Sequence, residues 1–394
     1  MFHESLAATK TLRMATKGKR VLIIAGEASG DLYGGKLVKA IRVVDPSVFF
    51  LGVGGLHMRE AGVKLLWNAD EMGVVGLPGV KRLLTIMSVF RAVSTNLQRW
   101  RPDLVVLIDY PEFNLLVAGK AKKLGIPVMY YIGPQIWAWR SGRIKTIRRR
   151  VDRMVVILPF EERIYREGGV EVSFVGHPLL DVIRVKNEKS LSRSHYSIDQ
   201  ASRLVGLLPG SRMNEVAKLL PVMLDTATAL AREIKDIHFL MPLAPTIRSQ
   251  QIYPYLRGRD LPLTVVEDNT HEVIQMCEMV IAASGTVTLE AAILGTPLVV
   301  VYKVNPLTYW LGKRLIRVRH VALANIVAGE TVAPELIQHE ANPEQIAREA
   351  MAILGDSDRQ AWIRQRFAEV RDSMGKPGAS ARTAAIALEL MDAG

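Results

Sequence analysis

Short, continuous runs of Val, Ile and Leu alternate along the chain with longer stretches whose apolar positions recur every three and four residues. VLIIAG (21–26), VFFLGVGG (48–55), DLVVLID (103–109), IPVMYYIG (126–133) and RMVVILP (153–159) are such runs in the first half. Each is apolar throughout instead of alternating, which predicts strands covered on both faces. DLYGGKLVKAIRVV (31–44), NLLVAGKAKKLG (114–125) and FEERIYREGG (160–169) follow three of them with a helical period, and VSFVGHP (172–178) closes the series. The rhythm stops at the polar stretch 184–203, RVKNEKSLSRSHYSIDQASR, which predicts a linker and a surface turn.

It then restarts. RLVGLLPGSR (203–212) predicts a strand entering a turn, and the stretch from Glu215 to Ile234 a long helix. IHFLMPLA (237–244), LTVVED (263–268), MVIAAS (279–284) and PLVVVY (297–302) predict further strands with helices between them, and 343–391 is helical. Strands alternating with helices make parallel sheets. The expected fold class is α/β with two Rossmann-like domains facing a cleft. The expected divisions are an extension at 1–20, a first domain at 21–185, a second at 200–365 and a helical tail at 366–394 that packs back across the domains. Ligands of open α/β sheets bind beyond the carboxyl ends of the strands, so the strand-to-helix turns are where chemistry is expected.

Composition sets outer limits. The chain has 394 residues, 49% of them hydrophobic, enough for two cores. Its single cysteine, Cys277, excludes an internal disulfide and is expected to be buried. The first twenty residues lack the apolar run of a secretory signal, and no window is apolar enough for a membrane span. Charge adds more: the formal net charge is +12, which suits an anionic partner. Basic residues concentrate in one block from Arg140 to Arg153 and another from Lys313 to His320. The segment 72–93, MGVVGLPGVKRLLTIMSVFRAV, is basic and amphipathic and is expected to lie against a bilayer through Met87, Val89 and Phe90.

Four turns carry candidate chemistry. In SGTVTLE (284–290), Ser284, Gly285 and Thr286 open a helix whose free N–H groups and dipole favour a phosphate. Gly285 is expected to let the backbone approach closely, and Glu290 to accept from a ribose diol. In LPGSR (208–212), Gly210 and Ser211 can cradle an anion and Arg212 can pair with a diphosphate. In AGEASGDLYGG (25–35), Glu27, Ser29, Gly30 and Asp31 are expected to meet the hydroxyls or phosphate of an acceptor. In IDYPEFN (108–114), Asp109 ends a strand where a general base would stand, with Glu112 and Asn114 in the turn beside it. Trp137, Trp139 and Arg140 form a candidate sugar or lipid-phosphate site, and His177 ends the last strand of the first domain. Glu27 and His177 join Asp109 as catalytic candidates. Without a recognised nucleic-acid motif, a nucleic-acid partner is not expected. No HExxH, Cys/His cluster or G-x-x-x-x-G-K-[ST] is present, so no metal and no cofactor are expected.

GEASGD (26–31), IDYPEFN (108–114), PQIWAWR (134–140), LPFE (158–161), VGHPLLD (175–181), LLPGSR (207–212), SGTVTLE (284–290) and the stretch around Asn325, VALANIVAG, occur in this order. Together they resemble the lipid-A-disaccharide synthase family from about residue 20 to the tail. The departure is IDYPE, where the family commonly has IDAP followed by Asp. The resemblance implies a GT-B glycosyltransferase that moves 2,3-diacylglucosamine from its UDP donor to 2,3-diacylglucosamine 1-phosphate, forming a β-1,6 bond and releasing UDP. It implies Asp109 as base, and Arg212, Glu290 and Asn325 around the nucleotide and cleft. It also implies a peripheral protein on the cytoplasmic face of the inner membrane, and it allows for a homodimer. The alternative is another GT-B UDP-sugar enzyme, such as a UDP-N-acetylglucosamine epimerase or the muramyl-peptide N-acetylglucosaminyl transferase.

Overall fold

The computed structural model describes residues 18–68, 79–138, 141–183, 193–196, 198–267, 269–305 and 319–393. The chain divides into two compact units, Met1–Pro178 with Gly375–Gly394, and Leu179–Met374.

The first unit is built on β1 (Arg20–Ala25), β2 (Phe49–Gly54), β3 (Lys64–Asn68), β4 (Leu104–Ile108), β5 (Val128–Tyr131), β6 (Arg153–Val156) and β7 (Val172–Phe174). Their order is β3-β2-β1-β4-β5-β6-β7, and every neighbouring pair is parallel. β4 is buried along its whole length, as expected of a strand covered on both faces. The second unit carries β8 (Arg203–Leu208), β9 (Ile237–Leu243), β10 (Leu263–Glu267), β11 (Met279–Ala283), β12 (Leu298–Tyr302) and β13 (Glu335–Ile337). Their order is β10-β9-β8-β11-β12-β13, again all parallel.

Each sheet grows outward from its first strand, then returns to the other side of it. The order therefore reverses between β1 and β4 in one unit and between β8 and β11 in the other. A crevice opens at such a reversal because the helices that follow the two central strands leave on opposite faces. The turns after β1, β4, β8 and β11 hold most of the candidate residues.

Two details depart from expectation. In the helix Gly79–Trp100, the spacing of four, four and three places Val89, Val93, Leu97 and Trp100 in the core. Val89 has no exposed surface, and Phe90 packs edge-on against Phe113 with ring centroids 6.2 Å apart. Val89 therefore belongs to the protein interior, and Phe90 packs half-buried against it, instead of facing a lipid surface freely. Among the described side chains of this helix the exposed large apolar ones are Leu83, Leu84 and Met87, at 58%, 59% and 43%. Residues 72–78 of the expected segment lie outside the described residues, as do 1–17, Trp139, Arg140 and most of the second basic block.

The second detail is the tail. The helix Ser357–Ser373 runs through residue 365 because Ile363, Phe367 and Val370 keep one buried stripe. It ends before GKPG (375–378), and the helix Ala379–Asp392 then returns to the first unit. There it packs on the helix Ala28–Val44, and Arg382 Nε donates to the Val175 carbonyl at 2.8 Å. Cys277 is buried. Among the described residues no helix is long and apolar enough to cross a membrane.

Candidate functional site

The turn after β4 is conformationally costly. Asp109 and Tyr110 have φ of 50° and 45°, two successive non-glycine residues in the left-handed region. Such residues cost about 1–3 kcal/mol each and persist where the surroundings enforce them. Pro111 then opens the helix Pro111–Lys123, where its missing N–H is no loss. Two side chains enforce the turn. Asn114 Nδ2 donates to the carbonyls of Ile108 (3.0 Å) and Asp109 (2.6 Å), and the Tyr130 hydroxyl donates to the Asp109 carbonyl at 2.6 Å. Asn114 is fully buried, and its amide donors are spent on backbone. The Tyr110 ring lies over Gly26, where a Cβ would meet ring Cγ at 2.6 Å, so the turn after β1 needs glycine at that point.

Asp109 is half-buried as a residue. Desolvation first, then the charges of Glu27 and Glu161, push its carboxyl up to about 7. A carboxyl group so tuned exchanges its proton near neutral pH, which is what a general base requires. Glu27 is exposed just before the helix Ala28–Val44, and Ser29 is exposed in its first turn. Their neighbours face inward. Gly30 is buried against Ala25 and Ile108. Asp31 accepts from the backbone N–H groups of Gly55 (2.6 Å), His57 (2.9 Å) and Met58 (3.1 Å), capping the helix Leu56–Glu60. Gly30 and Asp31, expected on the acceptor side, have structural contacts of this kind. Glu112 is exposed and ion-paired with Arg143.

Glu161 had no role in the sequence analysis beyond its place in LPFE. It is the third residue of the helix Pro159–Glu167 and reaches back to the Leu158 N–H at 3.2 Å, an N-terminal capping arrangement. Its other oxygen accepts from the Trp137 indole N–H at 3.1 Å, and Trp137 stands edge-on to Phe160 with centroids 5.1 Å apart. Glu161 is 4% exposed, and burial pushes its carboxyl up to about 7. The local signal, Glu two residues after Pro159, reads as a cap; its link to Trp137 is non-local. His177 is buried, and desolvation lowers it to about 3. That environment favours the neutral imidazole.

In the second unit, Gly210 has φ of 118°, and a Cβ there would meet Glu215 Oε2 at 2.6 Å. The Ser211 N–H donates to that oxygen at 3.2 Å, while Arg212 Nη1 pairs with Glu215 Oε1 at 3.2 Å. Glu215 thus folds back over the turn expected to cradle an anion. The Thr246 hydroxyl donates to the Ser211 carbonyl, and burial followed by the Glu215 charge raises Tyr302 at the end of β12. The Arg212 side chain remains 70% exposed.

The Ser284 hydroxyl donates to the Val321 carbonyl at 2.9 Å, which leaves Gly285 and Thr286 as the exposed residues of the turn after β11. Gly285 is extended, and a Cβ on it would meet nothing within 4 Å, so the protein's own packing does not require glycine there. Glu290 Oε2 lies 3.4 Å from His271 Nε2. Asn325 is fully buried. It donates to Ala333 O and Glu335 Oε1 at 2.8 Å each, and accepts from the N–H groups of Val332 (3.0 Å) and Ala333 (2.9 Å). These bonds engage both sides of its amide with the chain before β13 and with Glu335. Glu335 in turn accepts from the N–H groups of Val321 (2.8 Å) and Ala322 (3.0 Å), holding the strand of chain that meets Ser284. Among the described residues no group of three His, Cys, Asp or Glu side chains is placed to hold a metal ion.

Two all-parallel sheets, each with polar groups at its reversal point, place the chain in the class of proteins with the GT-B glycosyltransferase fold. The calicheamicin glycosyltransferase CalG4 superposes with a TM-score of 0.61 at 16% identity, covering 96% of this chain and 99% of that one. The UDP-GlcNAc 2-epimerase from Neisseria meningitidis, bound to UDP-GlcNAc, gives 0.60 at 11% identity, covering 95% and 100%. At such identities the likeness is one of fold. Sequence comparison goes further. The family model for lipid-A-disaccharide synthetase matches residues 21–390. Lipid-A-disaccharide synthases from Trichlorobacter lovleyi and Syntrophus aciditrophicus are 48% and 49% identical over 375 residues, spanning 95% of this chain and 98% of each relative. One from Myxococcus xanthus is 40% identical over 96% of this chain and 99% of its own. The chain belongs to the lipid-A-disaccharide synthase family.

Proposed function

We propose that this chain transfers 2,3-diacylglucosamine from its UDP donor to 2,3-diacylglucosamine 1-phosphate, with Asp109 as the general base. The observation that carries the base assignment is a carboxyl group at the reversal point of the first sheet whose environment tunes it to about 7. Asp109 takes the proton of the acceptor's 6-hydroxyl as that oxygen attacks the donor's anomeric carbon. The bond to the UDP oxygen breaks on the opposite face, the anomeric centre inverts, and UDP leaves as the anion. Glu27 and Ser29, exposed beside Asp109, orient acceptor hydroxyls.

The diphosphate is held by the second unit. The backbone N–H groups at Gly285 and Thr286 open the helix Thr286–Leu294 and favour negative charge. Arg212 turns from Glu215 to the departing diphosphate and stabilises charge that develops in the transition state. Glu290, steadied by His271, accepts from the ribose.

The acyl chains keep the reaction at a lipid surface. Leu83, Leu84 and Met87 form the exposed apolar stripe that meets the cytoplasmic face of the inner membrane, where the protein is peripheral.

The test is UDP release from UDP-2,3-diacylglucosamine with EDTA, with and without the acylated sugar 1-phosphate, alongside Asp109→Asn. Release that needs the acceptor and collapses in the variant is expected. Release without acceptor points to hydrolysis or epimerisation, and acceptor-dependent release that survives the substitution removes Asp109 as base.

A further inference from the structure

We propose that Asn114 and Tyr130 are positioning residues for the transfer, which clasp the Ile108 and Asp109 carbonyls and so keep the Asp109–Tyr110 turn in its left-handed form. The inference rests on the reading of Asp109 as base and deepens it. A strand can pass into a helix through ordinary backbone geometry. Here two adjacent residues adopt φ of 50° and 45°, one of them a bulky tyrosine, and strain of this kind gathers at functional positions because something must hold it. The clasp is what holds it. Three donor bonds of 2.6–3.0 Å converge on two successive carbonyls.

Neither clasping side chain can reach a substrate, since both are fully buried. The Oδ1 of Asn114 is buried without a partner, so the amide contributes through its two donor bonds. The Tyr130 phenol is raised well above its ordinary range, by burial first and then by the Asp109 charge, so it remains a donor throughout the working pH range. The charged groups that raise Asp109 come from separate elements, Glu27 after β1 and Glu161 on the helix Pro159–Glu167. Relaxing the turn moves Asp109 relative to both of them.

The experiment measures steady-state kinetics and pH profiles for Tyr130→Phe, Asn114→Ala and the double variant, with thermal melts of each and Asp109→Asn in parallel. Tyr130→Phe changes no volume beyond the hydroxyl and is expected to fold. We expect kcat to fall about tenfold in each single variant, with KM for both substrates within about threefold. The acid limb of the profile should move toward the ordinary carboxylate range. The double variant should be little worse than the poorer single one, because a turn already released cannot be released again. Unchanged kcat and acid limb in folded Tyr130→Phe and Asn114→Ala, with Asp109→Asn inactive, would overturn the clasp and leave the base standing. An active Asp109→Asn would overturn both.

Discussion

Trp137 donates its indole N–H to Glu161 across 3.1 Å, and Glu161 contributes to the field that raises Asp109. A buried carboxylate on one helix thus anchors the aromatic loop after β5 and tunes the proposed base at the end of β4. Replacing Glu161 with Gln keeps a hydrogen-bond acceptor for the indole and removes the charge. A nearby negative charge makes proton loss harder, so its removal lowers the Asp109 pKa from about 7. The acid limb of kcat/KM against pH should move down by up to about one unit. A limb that stays in place or moves up would separate Glu161 from Asp109.

The same tuning has a stability consequence. Asp109 is raised from 3.8 in an ordinary setting to about 7 in the fold. Below pH 3.8 both the folded and unfolded carboxyls are protonated and there is no penalty. Between 3.8 and 7 the unfolded chain ionises first, so folding stability from this group declines as pH rises and levels off above 7. Asp109→Asn should therefore be more stable than the wild type at pH 8, by up to about 4 kcal/mol, with the difference fading toward pH 4. Urea denaturation at the two pH values measures it. Loss of activity together with gain of stability marks a site that sacrifices stability for chemistry.

Arg212 and the Ser211 N–H both bind the Glu215 carboxylate, the groups a diphosphate would need. Glu215 then acts as an internal competitor. Glu215→Gln should tighten UDP binding by about three- to tenfold, and Arg212→Ala should weaken it by about tenfold or more, since charge-assisted pairs contribute about 1.5–3 kcal/mol. Isothermal titration with UDP decides this. If Glu215→Gln binds more weakly, the carboxylate positions Arg212 for the nucleotide instead of competing with it.

Much of the fold was legible because both sheets are parallel and covered. Strands such as Leu104–Ile108 and Met279–Ala283 are apolar at every position, a signal independent of partners far along the chain. The order of such runs also located the turns at the two reversal points, and with them Asp109. β3 and β13 escaped notice because edge strands are short and half-covered, and KLLWN and ELI carry little pattern. The candidate site was less legible, for one recurrent reason. Asp31, Asn114 and Asn325 are polar residues in or beside the turns and loops between elements, which is how ligand contacts also look in sequence. Their partners are backbone groups brought close by folding: Gly55 for Asp31, the Asp109 carbonyl for Asn114, Ala333 for Asn325. Glu161 was hidden in the opposite sense, since its cap is local and its bond to Trp137 spans 24 residues.

The helix Gly79–Trp100 carries an exposed apolar stripe and a core face within one element. Leu83, Leu84 and Met87 are exposed, whereas Val89, two residues on, has no exposed surface. Replacing the three exposed residues with Ser removes apolar area that the folded protein itself does not bury, so the melting temperature should hold while binding to anionic vesicles falls. Burying a Leu or Met side chain contributes about 1.5–3 kcal/mol, and even partial insertion of three should make the loss more than about tenfold in vesicle affinity. Val89→Ser is the control with the opposite signature. It places a hydroxyl and a cavity in the core and should cost about 2–4 kcal/mol of stability while leaving the lipid-facing stripe intact. Co-sedimentation with phosphatidylglycerol-containing vesicles, run with thermal melts of both proteins, distinguishes the two faces. Full vesicle binding by the triple variant would remove this helix as the lipid contact, and the basic helix Ile144–Arg150 would then be the surface to alter next.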